Sequence, residues 1–315
     1  MEKQIAWMVI VNPKAGRGHG LTDWPQISNQ MNRAGIVFTC VFTEHKYHAV
    51  ELTVKALRDG YRRLVAVGGD GTVHEVVNGI FMQKDVPITD VSLSVIPAGT
   101  GNDWVRMFGI PATYNEAVQA MVEYRTVLQD VGEISFVETR VPQLRYMANV
   151  AGLGFDAFVN RKYNALKDEG RRSKWLYLTS TFKVLLRYRS TRFKVMVDDK
   201  LFFDGKVFSA TVGIGKYNGG GMIQMPQARM DDGLLDLTLI RKASKYWVVR
   251  HFKHLFDGKI YDYSKVKHCQ GRTIRIESWP PGPIEIDGEA LGYAPFNFKI
   301  VPQSLRVVVG PRYKI

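Results

Sequence analysis

The sequence is short of cysteine, of long apolar segments and of acidic residues, and each shortage argues against a class of protein. Its 315 residues include two cysteines, Cys40 and Cys269, which argues against a disulfide-stabilised scaffold and fits a reducing cytosol. No run of about 18 apolar residues is present, so we expect no membrane-spanning helix. The first residues lead directly into an apolar segment without a signal-peptide pattern, and we therefore expect a cytoplasmic protein.

Acidic residues are outnumbered by basic ones. The 30 Asp and Glu residues face 43 Lys and Arg residues, which gives a formal net charge of +13. This excess favours an anionic partner, which can be a nucleotide, a nucleic acid or an acidic membrane surface. At 45% hydrophobic residues the composition is that of a globular protein, and the length is sufficient for two domains.

A glycine-rich segment, Gly68–Thr72, is the centre of the pattern. It lies between the predicted strand Arg63–Val67 and a predicted helix over 73–81 whose apolar residues recur on one face. Glycines allow the backbone to approach a ligand closely, and the start of a helix offers unpaired N–H groups that bind phosphate. Asp70 would repel phosphate unless a divalent cation lay between them, so it indicates a magnesium ion. The alternative is that Asp70 is the N-cap of the helix.

Two further polar loops follow predicted strands. Asn12–Gly18 follows the strand Ala6–Val11, and Pro97–Asp103 follows the strand Val91–Ile96. Since strands and helices alternate, a parallel sheet with helices on both faces is predicted, and its loops meet at one edge. Three glycine-rich loops at one edge predict a nucleotide site, whereas each loop alone is also consistent with a solvated turn.

The pattern changes near residue 130, where short predicted strands separated by turn signals replace the alternation. The predicted fold is an N-terminal Rossmann-like three-layer α/β domain over 1–130 and a C-terminal antiparallel β-sandwich domain over 131–315, whose last strand packs back on the first domain. Asp204-Gly205 and Asp287-Gly288 are two of the turn signals. The predicted strands of this second part are 144–151, 192–198, 201–204, 206–214, 234–240, 272–277, 284–287 and 305–309, and its predicted helices are 155–166, 173–189 and 244–256.

Two acidic turns are candidate sites in the second domain. Asp231, Asp232 and Asp236 lie around one turn, where carboxylate and carbonyl oxygens suit Mg²⁺ or Ca²⁺. A type I turn with Asp at its favoured positions is an equally consistent interpretation. Asp287 and Glu289 flank a glycine in another turn, which indicates either a general base or a hairpin with solvated acids.

The stretch 161–194 is rich in Lys and Arg, and aromatic and aliphatic residues are interleaved with them. A basic amphipathic helix of this kind is typical of proteins that lie on an anionic membrane surface. A charged helix that covers its own domain explains the composition equally well. Nucleic acid ranks third, and we expect no nucleic-acid partner, because no recognised nucleic-acid-binding motif is present.

These motifs together resemble a known family. Gly68–Gly79 is similar to the G-G-D-G-T-x-x-E-x-x-N-G signature of the diacylglycerol kinase catalytic family, which includes bacterial lipid kinases, sphingosine kinases and ceramide kinases. Asn12–Gly16 and Pro97–Asp103 resemble the family's first and third nucleotide loops, and 232–236 and 287–289 resemble its C-terminal motifs. The similarity extends in order over nearly the whole chain. G-G-D-G-T alone is shared with NAD kinases, so the longer motif carries the resemblance.

The resemblance implies ATP-dependent phosphorylation of a lipid hydroxyl, on diacylglycerol or a related lipid, with Mg²⁺ as the metal ion. By position, Glu289 would be the proton acceptor, and Asp70 would hold the magnesium ion of the nucleotide. A further Mg²⁺ would be held by the carboxylate of Asp232 and by the carbonyl oxygens of Arg229 and Leu234. The residues that would contact ATP are Asn12, Pro13, Lys14, Ala15, Gly16, Thr43, Gly68, Gly69, Asp70, Gly71, Thr72, Glu75 and Thr100.

Two other functions stay open at this point. One is a kinase of a soluble acceptor such as NAD, and the other is a nucleotide-sensing regulator with the same fold and no catalysis. The intact Asp70 and Glu289 argue against a regulator, and the extension of the motif through Glu75, Asn78 and Gly79 argues against an NAD kinase. The lipid acceptor is left open because specificity depends on pocket shape, and so is a homo-oligomeric state.

Overall fold

The chain forms two compact units in the computed structural model, which describes residues 6–99, 101–139, 141–168 and 174–313. The first unit comprises Met1–Val131 and Pro302–Ile315, and the second comprises Gly132–Val301. The C-terminal segment therefore belongs to the first unit, although it follows the whole of the second unit in sequence.

A parallel sheet is the centre of the first unit. Its strands lie in the order β2–β1–β3–β4, and each neighbouring pair is parallel. Arg306 and Val307, from a later strand, extend the sheet by pairing in parallel with Ser92 and Leu93. The four strands are β1 (Trp7–Val11), β2 (Phe38–Phe42), β3 (Arg63–Gly68) and β4 (Ser92–Pro97).

Helices cover both faces of this sheet, which confirms the predicted three-layer α/β fold. The helices are α1 (His19–Thr22), α2 (Trp24–Arg33), α3 (His48–Arg58), α4 (Asp70–Met82), α5 (Asp103–Met107) and α6 (Tyr114–Glu123). Trp7, Val9 and Val11 of β1 lie in one apolar cluster with residues of α2 and α6. The intervening β1 residues point to the opposite face, because strand side chains alternate, and α3 contacts β1 there while α4 contacts β3.

Antiparallel strands dominate the second unit. Strand β5 begins in the first unit, and β16 ends there. The strands are β5 (Thr126–Glu138), β6 (Val141–Met147), β7 (Val150–Gly154), β8 (Thr191–Val197), β9 (Lys200–Gly213), β10 (Tyr217–Asn218), β11 (Met222–Ile223), β12 (Leu235–Arg241), β13 (Val266–Gly271), β14 (Thr273–Trp279), β15 (Pro283–Ile286) and β16 (Glu289–Val308). The helices are α7 (Phe155–Asp168), α8 (Lys174–Arg187) and α9 (Lys245–His251).

Six of these strands form a closed circuit. Strand β9 pairs with β7, and the pairing continues through β15, β16, β14 and β8 before it returns to β9. The long strands β9 and β16 make this closure, because each pairs with different neighbours along its two halves. The predicted antiparallel sandwich-like domain is thus confirmed, with a sheet that folds back on itself.

Several predicted boundaries in this unit are wrong. The Asp204-Gly205 pair is not a turn but part of the continuous strand β9, where Asp204 lies opposite Lys194. Arg192 donates two 2.8 Å hydrogen bonds to the Asp204 carboxylate, so a cross-strand ion pair holds this residue in the strand. The predicted strand 144–151 is two strands, and β13 and most of β16 had no prediction.

Candidate active site

The predicted glycine-rich loops meet at the carboxyl edge of the parallel sheet. Asn12, just after β1, donates from Nδ2 to Thr72 Oγ1 on α4 at 3.1 Å. The Asn12 Oδ1 atom accepts from the backbone N–H of Lys14 at 3.0 Å, and its carbonyl accepts from Ala15 N at 3.1 Å. Asn12 therefore fixes the first loop, which contains Pro13, and joins it to the loop that follows β3.

The ends of β2 and β4 are joined to the ends of β1 and β3 by backbone hydrogen bonds. The N–H of Thr43, just after β2, donates to Val11 O at 2.9 Å, and the N–H of Ala98, just after β4, donates to Gly68 O at 2.9 Å. Gly16 lies against the carbonyl oxygen of Ala98. Thr100 lies outside the described residues.

Gly69 and Gly99 bring the backbones of two loops into direct contact. A Cβ atom on Gly99 would lie 2.4 Å from the Cα of Gly69 and 2.6 Å from Asn102 Oδ1, closer than any side chain tolerates. These two glycines are required for the loops after β3 and β4 to touch. Within the described residues, the buried Asn102 Oδ1 atom has no hydrogen-bond partner, so an acceptor is left at the point where these loops meet.

No side chain caps the start of α4, and the alternative function of Asp70 as its cap is wrong. Gly69 is the N-cap residue of α4 and supplies no side-chain cap, while Asp70 and Gly71 are the first two helical residues. The Asp70 Oδ1 atom instead accepts from the N–H of Trp104 at 3.1 Å, at the start of α5. Since the first N–H groups of a helix lack partners within it, the start of α4 suits a phosphate group.

Glu75 holds the start of α3. Its carboxylate accepts from Tyr47 N at 3.0 Å and from Ala49 N at 3.1 Å. These bonds fix the loop that begins at Thr43, in which Tyr47 has a positive φ of 65°. Glu75 therefore shapes the edge of the site through backbone groups, and its predicted contact with ATP stays a prediction.

In the second unit, the Asp287-Gly288 turn carries Glu289 at its end. Asp287 and Gly288 have φ angles of 49° and 89°, the values of a two-residue hairpin turn that joins β15 to β16. Asp287 is buried and accepts from three successive backbone N–H groups, those of Ala148, Asn149 and Val150, at 2.8–3.0 Å. The alternative of solvated acids is wrong for Asp287, while Glu289 is half-buried as the first residue of β16.

Two side chains of α7 and one of β15 hold the same turn. Glu285 Oε2 accepts from Gly288 N at 3.0 Å and from Asn160 Nδ2 at 3.1 Å. Asn164 donates from Nδ2 to Gly288 O at 3.1 Å and to Asn160 Oδ1 at 2.7 Å. The backbone immediately before Glu289 is therefore fixed on both its donor and its acceptor side.

Glu285 and Asp156 form a buried acidic pair that the sequence analysis missed. Burial, followed by the charges of Asp156 and Asp287, raises the pKa of Glu285 to about 8. Burial also raises the pKa of Asp156, against hydrogen bonds from Ser209 at 2.8 Å and Gln224 at 3.2 Å. The sequence does contain one signal for Glu285. It lies between two isoleucines in 284–286, and the structure shows that this strand is fully buried.

At the acidic turn, carboxylate oxygens of Asp232 and Asp236 lie close to the same amide group of Gln270. Asp232 Oδ1 accepts from the N–H of Leu234 at 3.0 Å, and Gln270 Nε2 lies 3.5 Å from Asp232 Oδ2 and 3.3 Å from Asp236 Oδ2. Burial raises the pKa of Asp236 to about 6. The Arg229 side chain is exposed and pairs with Asp231, so only the backbone carbonyl of Arg229 has the chemistry of a metal ligand.

Among the residues that the structure describes, one group of three metal-binding side chains brings its ligand atoms within 4.8 Å of one another: His45, His48 and Glu51. The two imidazole rings are stacked at 4.5 Å and 14°, so their nitrogen lone pairs lie in nearly parallel planes and do not point to a common ion between the rings. His48 Nδ1 also accepts from Glu44 N at 3.0 Å. This group therefore does not have the geometry of a metal site and does not replace the predicted magnesium sites.

The described helices include none that is long and apolar enough to cross a bilayer.

Known proteins are similar to both parts of the chain. Residues 6–134 match the family model of the diacylglycerol kinase catalytic domain, and residues 149–309 match the model of the YegS C-terminal NAD kinase beta sandwich-like domain. The chain is 30% identical to YtlR of Bacillus subtilis, a candidate lipid kinase by name, over 96% of this chain and 98% of that protein. It is 26% identical to the diacylglycerol kinase of Staphylococcus carnosus, over 95% and 93% of the two chains.

The fold has solved counterparts. The crystal structure of a candidate diacylglycerol kinase from Bacillus anthracis gives a TM-score of 0.78 at 22% identity, and the alignment covers 99% of both chains.

Proposed function

The chain belongs to the diacylglycerol kinase catalytic family and is therefore a lipid kinase, and we propose that it transfers the terminal phosphate of ATP to the free hydroxyl of diacylglycerol. The observation that carries this proposal is the meeting of three glycine-rich loops at the start of α4, which no side chain caps. Such an edge offers backbone donors to phosphate groups, which is the requirement of phosphoryl transfer.

The residues of the first unit fit the phosphates of ATP. The start of α4, which no side chain caps, provides N–H groups that donate to phosphate oxygens. Lys14 is exposed on the loop after β1 and adds a positive charge. In the proposed complex these groups hold the phosphate chain in one orientation, and Asn12 and Thr72 keep the two loops together.

Carboxylates in both units have the donor chemistry of magnesium sites. Bound Mg²⁺ would neutralise charge on the phosphates. Asp70 would hold it in the first unit, with its Oδ1 already fixed by Trp104. The turn at Asp232 would hold a second ion through one carboxylate and the carbonyl oxygens of Arg229 and Leu234, a set of hard oxygen ligands.

Glu289 is the proposed general base. Its carboxylate would accept the proton of the attacking lipid hydroxyl. The hydrogen bonds of Asp287, Glu285 and Asn164 fix the turn before it, so the carboxylate is presented from a rigid backbone. A base on a fixed turn loses little conformational entropy when the acceptor binds.

Diacylglycerol is a membrane lipid, so we propose that the protein acts at a membrane surface without crossing it. The basic stretch 161–194 supports the proposal that this surface is anionic. Residues 169–173 and the side chains of 166–180 lie outside the described residues. Of its described cations, Arg161 contacts Tyr293 and Arg192 pairs with Asp204, whereas Lys183 and Arg187 are exposed.

The test of this function is a panel of acceptors. The purified protein is incubated with Mg²⁺, labelled ATP and one acceptor at a time: diacylglycerol, ceramide, sphingosine or a monoacylglycerol in detergent micelles, or NAD in solution. We expect transfer to diacylglycerol above the rate without acceptor. Preferred transfer to NAD would replace the proposal by a soluble-acceptor kinase, and ATP binding without transfer to any acceptor would indicate a nucleotide-sensing protein.

A further inference from the structure

Helix α9 and the 3₁₀ turn after it carry apolar side chains on their outer face. Tyr246 is 74% exposed and Val249 is 61% exposed. Phe252 and Phe256 follow on the same face, and their rings contact each other at 5.7 Å. We call this surface the α9 face and define it as Tyr246, Val249, Arg250, Phe252, Lys253 and Phe256.

The inner side of α9 already packs against the second unit. Val248 lies against the apolar cluster that contains Leu185, and the Trp247 ring stacks on His251 and contacts Tyr263. The outer apolar residues are therefore not required to attach the helix to its domain. Four large apolar side chains in one exposed patch mark a surface that binds something.

The end of α8 extends the same apolar surface. Leu185 packs inward in the cluster that includes Val248, and Lys245 at the start of α9 donates to Leu186 O. Phe182 and Leu186 point away from that cluster, with 58% and 52% of their surfaces exposed. The two helix ends thus lie side by side and expose apolar residues together.

Basic residues dominate this surface, and the acidic residue next to it, Asp257, pairs with His254 at 2.8 Å. Residues 241–256 contain five Lys or Arg residues and no Asp or Glu, and no acidic residue occurs between Glu169 and Asp198. Arg250 and Lys253 are exposed among the apolar residues of the α9 face, and Lys183 and Arg187 are exposed beside Phe182 and Leu186. Aromatic side chains interleaved with cations are typical of helices that lie in the headgroup region of a bilayer.

We propose that the α9 face and the exposed end of α8 dock this lipid kinase on an anionic phospholipid bilayer. The aromatic and aliphatic side chains enter the boundary between headgroups and acyl chains, and the surrounding Lys and Arg residues pair with lipid phosphates. This inference rests on the proposed function for its lipid partner and names a surface that lies outside the candidate active site.

A second copy of the chain is a poorer occupant of this surface. A two-fold interface would place the same patch on both sides, so Arg250 and Lys253 of each copy would face the same cations of the other, and the nearby Asp257 is already paired with His254. An anionic bilayer supplies both the apolar phase and the opposite charge.

The test measures vesicle binding with three paired variants. Phe252→Ser with Phe256→Ser removes the aromatic pair, and Arg250→Gln with Lys253→Gln removes two charges. The matched control is Lys200→Gln with Leu201→Ser, which alters an exposed cation and a 60% exposed leucine on β9. Cosedimentation is measured with vesicles of phosphatidylcholine alone and with vesicles that also contain phosphatidylglycerol.

We expect the aromatic variant to bind mixed vesicles roughly tenfold more weakly than the parent protein. The charge variant should lose about fivefold for each cation on mixed vesicles and little on neutral ones. The control should bind like the parent protein. The proposal is overturned if both variants bind vesicles as the parent protein does. Self-association and binding of an RNA oligonucleotide are measured on the same proteins, and a loss of either with unchanged vesicle binding also overturns the proposal.

Activity on diacylglycerol in detergent micelles separates this proposal from the proposed function. The variants should keep micellar activity because the α9 face lies outside the catalytic residues. If the parent protein phosphorylates no lipid in micelles, the proposed function fails, while the vesicle measurement still decides whether the α9 face binds a bilayer.

Discussion

At the scale of single residues, the proposed chemistry depends on two carboxylates in different surroundings. Asp70 is the first residue of α4 and also holds the start of α5 through Trp104. Glu289 lies at the end of a turn whose backbone is fixed by buried polar groups. In the proposed mechanism the first would hold a cation beside phosphates, and the second would accept the proton of the attacking hydroxyl.

Asp70→Asn should abolish most activity while the fold survives. Asparagine keeps the oxygen that accepts from Trp104 N–H, so the cap of α5 is retained and stability should change by no more than about 1 kcal/mol. The negative charge assigned to Mg²⁺ is lost, and added Mg²⁺ should restore little. Turnover and thermal unfolding are measured on the same preparation, and near-normal turnover would show that Asp70 only caps α5.

Glu289→Gln should lower turnover by roughly 10²–10⁴-fold, the usual contribution of a general base, with little change in ATP affinity. Glutamine has the same shape but cannot accept the proton. Steady-state kinetics and a direct ATP-binding measurement distinguish the possible roles. A parallel fall in ATP affinity would assign Glu289 to the nucleotide or metal site, and unchanged kinetics would remove it from the mechanism.

Glu285 should make stability fall as pH rises. Burial raises its pKa from the ordinary value of 4.5 to about 8 in the folded protein, so between these values the folded state holds a proton that the unfolded chain has released. The stabilisation is complete below pH 4.5 and is lost as pH passes through about 8.

The side chain introduced by Glu285→Gln carries no charge at any pH, so the variant should lose this part of the pH dependence of stability. Its free energy of unfolding, measured by urea titration, should therefore decline less than that of the parent protein as pH rises from 4.5 to about 8. Glu138→Gln, on β5, is the control. An identical pH profile for the parent protein and the Glu285 variant would contradict the buried, protonated state.

At the scale of elements, α4 explains why the glycine-rich motif extends so far. Gly79 lies where α4 crosses α3, and a Cβ there would be 2.6 Å from the Cβ of Thr53 and 2.9 Å from Val50 O. Asn78 is buried and donates to His74 O at 2.8 Å within the helix. This end of the motif serves packing, and only its beginning faces the candidate phosphate site.

Gly79→Ala should therefore destabilise the protein, against the usual direction for this substitution in a helix. Alanine normally stabilises a helix by about 1 kcal/mol over glycine, but here overpacking against α3 should cost about 1–3 kcal/mol. Urea unfolding of Gly79→Ala is compared with that of Gln119→Ala, at an exposed position of α6. A stabilised Gly79 variant would mean that α3 and α4 separate easily.

The sequence predicted the parallel sheet well because its strands are short, apolar and bounded by polar loops. Strand β13, Val266–Gly271, escaped prediction because it is mostly polar and owes its structure to pairing with β12. Strand β16 contains two prolines and a glycine, which predict breaks, yet it pairs with β15 and β14 along its length. In both strands, hydrogen-bond pairing with distant strands outweighs the low strand preference of the local sequence.

The candidate site was predictable to the same extent. Glycine spacing identified the loops after β1, β3 and β4, because their conformations depend on local sequence. Glu285, Asn160 and Asn164 escaped notice, since they meet only when α7 packs on the turn between β15 and β16, more than 100 residues away in sequence. Such a cluster has no local signature.

At the scale of the whole molecule, the net charge of +13 should govern membrane binding. Binding to anionic vesicles should weaken as salt rises, because each cation near the surface contributes about 1 kcal/mol at low screening. Cosedimentation over a salt series measures the effect, with neutral vesicles as the control. Equal binding to neutral and anionic vesicles at every salt concentration would contradict a role for the positive charge.

The most direct test of the central claim follows the phosphate itself. The protein is incubated with diacylglycerol in detergent micelles and with ATP labelled either at the γ or at the α phosphate, and the lipid product is extracted and counted. We expect phosphatidate to carry label from γ-labelled ATP alone, and Asp70→Asn and Glu289→Gln to abolish most of it. No labelled lipid, with label in NAD when NAD replaces the lipid in a parallel incubation, would contradict the proposed diacylglycerol kinase activity.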